Sequence, residues 1–276
     1  HRLNEKSGMF SKLRENQIKE IIHSSTFSVF FIDENHQVTT SDIGSKEEIH
    51  NWALELGANV RELELRSQFR CNGSDGYLAW LDNTLDIRPT ANIVLDKNDY
   101  DFTVCESPAQ MRDMIYELNK EKNRARMLAG YCWDWTSKKH PLQYDIEFPE
   151  YGFRHKWNLA NDGMKWIISE ESVSEIGCIH TSQGLELEHV GVILGKDLIV
   201  RNGQVITDFR ERSSNDRSIK GLKGRYKKNP VEVTELADRI IKNTYRTLMT
   251  RGMKSCCIYS VDEETNEYFQ NRISKV

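Results

Sequence analysis

The chain has 276 residues, 38% of them apolar and 29% charged, with a formal net charge of -4. That fits a soluble globular protein of one large or two ordinary domains. It argues against a surface coated in positive potential, though not against a local nucleic-acid groove. No apolar run approaches the ~20 residues of a membrane span. The polar opening "HRLNEKSGMF" has no signal-peptide core. Six cysteines (Cys71, Cys105, Cys132, Cys178, Cys256 and Cys257) form no C-x-x-C pair, so neither a zinc spacing nor a disulfide framework is visible. Reduced thiols in a cytoplasm are the simplest expectation. The first residue is His1 rather than Met, so a piece of a longer chain is expected.

The first apolar pattern, Met9, Leu13, Ile18, Ile21 and Ile22, has near-helical spacing. "FSVFFID", Phe27 to Asp33, is a continuous apolar run that predicts a strand buried on both faces. Ser45 caps a helix over "KEEIHNWALELG", and Gly57 stops it. "NVRELEL" predicts a strand and "GYLAWLDNTL" a helix. "YDFTVCE" is a strand, Ser107 and Pro108 open the next helix, and "RMLAGYCW" is a strand again. Thr136 to Glu175 looks irregular and predicts an insertion. "SEIGCIH" and "HVGVIL" are strands, and "LIVRNGQVIT" is a hairpin turning at Asn202-Gly203. Asp208 to Asn229 is polar and basic, the composition of a mobile loop. A long helix over "VEVTELADRIIKNTYRTLMT", the strand "KSCCIYS" and a closing helix over "DEETNEYFQNRI" complete the chain. Alternating strands and helices predict an α/β fold, a mainly parallel sheet with helices on both faces.

Such sheets often bind nucleotides, but neither G-x-x-x-x-G-K-[ST], G-x-G-x-x-G nor G-x-S-x-G occurs. "GVILGKD" is a decoy: Gly191 and Gly195 are one residue too close, and Asp197 replaces the hydroxyl. "DENH", with Asp33 and Glu34 after a strand, suits a Mg2+ site, although acids often end strands. The polar loop "HTSQGLE", His180 to Glu186, lies between two apolar runs and is built to present side chains to a ligand.

Six segments in order, "HRLNEKSG", "VFFIDENHQVT", "SQFRCNGSDGYLAWLDN", "AGYCWDW", "GCIHTSQGLE" and "IIKNTYRTLMTRGMKSCCIY", carry a resemblance covering most of the chain. They resemble superfamily 1 helicases, specifically the Schlafen-type DNA/RNA helicase domain. The resemblance implies a RecA-like P-loop NTPase fold. Residues 1–62 would complete the first RecA-like domain, and 63–276 would form the second, with insertions at about 136–175 and 196–229. His1-Arg2 resembles the end of a Walker B motif, which would put the phosphate loop and Mg2+-site acids upstream. The resemblance then reassigns Asp33 and Glu34 to the following motif, near the γ-phosphate. The sensor position of that motif falls on His36, with Gln37 next to it, and both stay candidates.

The resemblance also makes Arg70 an arginine that reaches the nucleotide and Arg251 the arginine finger. Phosphoryl transfer needs positive charge on the γ-phosphate oxygens, and a rigid guanidinium fork supplies it. "HTSQGLE" would join the nucleic-acid groove to the nucleotide cleft. Gly184 would allow close backbone approach, Glu186 would accept from a ribose hydroxyl, and Gln183 would contact phosphate or its water. His180, Thr181 and Ser182 would bond the nucleic-acid backbone, although the two hydroxyls equally suit turn capping. Lys220, Lys223, Arg225, Lys227 and Lys228 form the best phosphate-tracking loop, and a solvated loop is the plain alternative. Trp133, Trp135 and Trp157 are candidates for stacking on bases.

The expected parent is an ATP- and Mg2+-dependent helicase or translocase on single-stranded DNA or RNA. The chain alone, without a phosphate loop, is not expected to hydrolyse ATP. The alternatives are a helicase-like module that binds nucleic acid or protein without motor activity, and an unrelated nucleotide-binding α/β enzyme.

Overall fold

The computed structural model describes residues 17–32, 38–40, 45–63, 70–158, 166–182 and 186–274. Two helices come first, α1 (Gln17–Ser24) and α2 (Lys46–Glu55). Ser45 caps α2 through a full capping box with Glu48. Gly57, at φ 72°, ends it in the left-handed region that a side chain would strain. Next come α3 (Asp75–Thr84), β1 (Asp101–Val104), α4 (Pro108–Lys122), β2 (Ala125–Ala129), β3 (Ile146–Phe148), β4 (Phe153–Trp157) and β5 (Glu175–Gly177). The second half holds α5 (Ile179–Ser182), β6 (Leu187–Leu194), β7 (Leu198–Arg201), β8 (Gln204–Thr207), α6 (Leu222–Tyr226), α7 (Pro230–Met249), β9 (Gly252–Ser260) and α8 (Glu263–Gln270).

Seven strands form one sheet in the order β1-β9-β6-β2-β5-β4-β3. All neighbours are parallel except β3, which runs antiparallel to β4 at the edge. The central strands are apolar on both faces, and the two-residue period sorts them. Val190, Val192, Leu194, Cys256 and Ile258 pack with α3, α7 and α8. Met127, Ala129, Ile193, Cys257 and Tyr259 pack with Met111 and Ile115 of α4. β7 and β8 form a separate hairpin, turning at Asn202 (φ 53°) and Gly203 (φ 75°). Two positive φ values in a two-residue turn are the condition that Asn-Gly meets at least cost.

Four expectations need correction. Phe27 to Ile32 is not a strand, and Phe27 and Phe31 are more than four-fifths exposed. An apolar run becomes a buried strand only between partner strands, and no strand pairs with this one among the described residues. Residues 59–63 of "NVRELEL" likewise form no strand. The region read as an irregular insertion supplies β3 and β4, which widen the sheet by an edge. Asp208 to Asn229 is built from short helical turns and α6 rather than open loop. Its polar composition conceals a buried ionic cluster.

Candidate functional site

At one end of the sheet, α7 stops at Met249, Thr250 caps it, and β9 starts at Gly252. Arg251 sits in that tight junction. Its side chain is only 5% exposed, and its Nε donates to the Thr247 carbonyl at 3.0 Å. Gly252 is required there, because a Cβ would lie 2.2 Å from the Ser255 carbonyl oxygen. Tyrosine hydroxyls brace the junction: Tyr77 donates to the Met249 carbonyl at 3.1 Å, and Tyr100 to the Gly252 carbonyl at 2.9 Å. The Cys71 thiol lies 3.8 Å from the Thr250 carbonyl. Cys71 belongs to the short helical turn Arg70–Gly73, so the backbone of Arg70 is placed beside the Arg251 junction. The Arg70 side chain lies outside the described residues, as do Asp33, Glu34, His36, Gln37, Gln183 and Gly184.

The start of β6 closes on the same junction. Leu187 donates its N–H to the Arg251 carbonyl at 3.0 Å and pairs with Gly252. Exposed Glu186 immediately precedes it. Gly177, by contrast, is level with Val192, since both pair with Leu128. Leu187 lies five strand residues before Val192, about 16 Å at about 3.3 Å each. Gly177 and Leu187 are therefore at opposite ends of the sheet.

α5 occupies the far end. Ser182 is buried, and its hydroxyl donates to the Cys178 carbonyl at 3.1 Å, a bond within its own turn. Thr181 donates to Asn158 Oδ1 at 2.7 Å. His180 is partly exposed and places Nε2 3.7 Å from Asp216 Oδ1. That is longer than a direct hydrogen bond. Behind Asp216 lies Arg212, whose side chain is fully buried. Its Nε is 3.0 Å from Asp197 Oδ2, and its Nη1 is 3.1 Å from Asp216 Oδ2. Nη1 also donates to Ser218 Oγ at 3.0 Å. Tyr245 of α7 donates to Asp197 Oδ1 and accepts from the Gly195 N–H at 2.9 Å.

Burial opposes the charge on Arg212, but Asp216 and then Asp197 outweigh it and hold its pKa above the ordinary value. Burial likewise pushes Asp216 up, yet Arg212, His180 and Ser218 leave it below the usual carboxylate range. Burial and the nearby Asp197 carboxylate push the Tyr245 phenol and the Cys132 thiol well up. Sequence reasoning missed this cluster and Asn158. The one available signal was the Arg212–Asp216 spacing of four inside a segment that otherwise reads as solvated.

Lys220, Lys223, Arg225, Lys227 and Lys228 are all exposed on and around α6. Arg225 pairs with Glu232 at 2.7 Å. Trp157 is fully buried, which removes it as a stacking platform. Trp133 and Trp135 are half-buried, and Lys138 lies over the Trp135 ring at 5.2 Å. Among the described residues, no group of three or more His, Cys, Asp or Glu could hold a metal ion. No helix among them is long and apolar enough to cross a membrane.

Residues 1–262 match the Schlafen group 3, DNA/RNA helicase domain family. The chain belongs to this family. Its mainly parallel sheet with covering helices is the helicase-type, RecA-like arrangement. The chain is also 25% identical over 217 residues to an uncharacterized protein of Saccharomyces cerevisiae. That alignment covers 74% of this chain and 46% of the yeast protein, so the chain spans about half the length of the curated relative it matches. No solved structure matches it significantly.

Proposed function

We propose that this helicase-family chain is the nucleic-acid-responsive part of an ATP-dependent DNA or RNA helicase or translocase, contributing arginines to a nucleotide cleft. The observation that supports this is the placement of His180 and Leu187, which bracket the motif, at opposite ends of the sheet: His180 lies beside Asp216, and Leu187 bonds the Arg251 carbonyl. A motif reaching both ends would give each ligand a means to bias the other.

In this reading Arg70, Glu186 and Arg251 face ATP, and Gln183 and Gly184 lie along its phosphates. Asp33, Glu34, His36 and Gln37 belong to the γ-phosphate side, with Mg2+ held by acids outside this chain. Bound ATP supplies the phosphoryl group whose transfer releases energy for movement. Glu186, exposed at the start of β6, is free to accept a hydroxyl hydrogen bond. At the far end His180 and Thr181, together with Lys220, Lys223, Arg225, Lys227 and Lys228, track the backbone of single-stranded nucleic acid. Ser182, buried and bonded to Cys178, supports this surface from beneath.

The 276 residues contain no phosphate loop. The pure chain should therefore show no Mg2+-dependent ATPase activity, whereas a longer protein that includes such a loop should lose its activity in Arg251→Ala. Mg2+-dependent hydrolysis by the chain alone, abolished by that substitution, would sink the proposal. The burial of Arg251 against Thr247 supports a second reading, a module that binds nucleic acid without hydrolysis. Salt-dependent oligonucleotide binding by a longer protein that shows no Mg2+-dependent ATPase activity would favour it.

A further inference from the structure

The buried cluster at the far end holds an uneven set of charges. Asp197 and Asp216 contribute two negative charges and Arg212 one positive, all inside the protein. Low-dielectric surroundings magnify the excess negative charge. Among the described residues, a group presented to it from outside is the His180 imidazole, at 3.7 Å from Asp216 Oδ1. Asp216 itself has no freedom to turn away. Its Oδ1 accepts from the Ser218 N–H at 2.8 Å, and its Oδ2 accepts from the Ser218 hydroxyl at 2.7 Å and lies 3.1 Å from Arg212 Nη1.

The turn bearing Asp216 is anchored from a further direction. Thr40 donates its N–H to the Ser218 carbonyl at 2.8 Å and its hydroxyl to the Lys220 carbonyl at 3.3 Å. Residues 38–40 directly follow the segment read as the γ-phosphate sensor. The 212–220 turn is thus tied to residues 38–40 through Thr40, to α7 through Asp197 and Tyr245, and to α5 through Asp216.

We propose that Asp216, fixed by Arg212 and Ser218, is a positioning residue that sets the orientation of the His180 imidazole. This rests on the reading of α5 as part of the nucleic-acid surface. The turn between β8 and α7 becomes the support of the groove residue rather than an exposed tether. A ligand-driven shift of residues 38–40 would pull on the backbone that holds Asp216 and so re-aim His180.

The test uses the chain as it stands, with two independent measurements. Side-chain scalar couplings in the NMR spectrum should report one χ1 rotamer for His180 in the wild type and averaging among rotamers in Asp216→Asn. Anisotropy of a fluorescent single-stranded oligonucleotide should show Asp216→Asn and His180→Gln each weakening binding roughly fivefold, with the double variant no weaker than either. Ser218→Ala keeps every charge and should give the same averaging at smaller amplitude. It replaces Asp216→Asn if that variant fails to fold. A single His180 rotamer persisting in both variants, or losses that multiply in the double variant, would overturn the positioning role. Absence of binding by the wild type would instead overturn the nucleic-acid reading, with the rotamer measurement still deciding what Asp216 does.

Discussion

The two ends of β6 are held by opposite kinds of force. At its start, Leu187, Arg251 and Gly252 meet through backbone bonds, with tyrosine hydroxyls closing the junction. Just past its finish, at Asp197, a fully buried arginine is locked between two aspartates. Neutral contacts are individually modest and tolerate exchange for water. A buried charge set is costly to break, because removing one partner strands the others. Under the proposed function, the first end would suit an arginine that changes partners during a cycle. The second is suited to a fixed platform.

The sharpest way to break this contrast is Arg212→Met. It leaves two buried carboxylates facing each other and should cost about 3–5 kcal/mol in urea unfolding. A loss below about 1 kcal/mol would show that the charged end is no firmer than its neutral counterpart. Next comes Gly252→Ala at the opposite end. Its new methyl would meet backbone rather than a movable side chain, so unfolding should show a loss of about 1–3 kcal/mol. Wild-type stability in that variant would mean the Arg251 junction is loose.

The smallest effect concerns pH. Burial lowers the pKa of His155 below its ordinary 6.5, and Arg112 adds to this against the bond to the Ser174 carbonyl. His189 is lowered too, by burial first and then by Lys254. The unfolded chain then takes up these protons more readily than the folded one. Their contribution is present above pH 6.5 and fades as pH falls below it. Asp216 is depressed below 3.8, so its contribution is lost only in stronger acid. Urea unfolding at about pH 7.5 and about pH 5.5 should differ in the wild type and differ less in His155→Gln. Identical slopes would remove His155 from the account.

Local rules made much of the fold legible. Ser107 and Pro108 announce α4, and Ser107 accepts from the Gln110 N–H as a cap should. Asn202-Gly203 announces the hairpin. The failures share one cause: they turn on partners distant in sequence. Phe27 to Ile32 has strand chemistry but no neighbouring strand among the described residues. β3 and β4 are short, and their burial depends on Trp157 and Phe153 reaching a face built elsewhere. Arg212 looks like any loop arginine until Asp197, fifteen positions earlier, folds against it. Of the candidate site, Arg251, Glu186 and His180 are legible by motif; the structure sets Glu186 next to the Arg251 junction and His180 at the other end of the sheet. The support beneath His180 has no local signature, since buried charge and exposed charge use the same letters.

Tyr245 carries a mechanical consequence. Its hydroxyl bonds both Gly195 and Asp197, and a Cβ on Gly130 would lie 1.9 Å from that oxygen. The phenol is thus a pin passed through a slot between the ends of two adjacent strands. A helix packed only by ridges and grooves can slide along a sheet in small shear steps. α7 cannot do so without first withdrawing the pin. In any movement of α7, helix and sheet would travel together as one rigid piece, and a hinge would have to lie elsewhere.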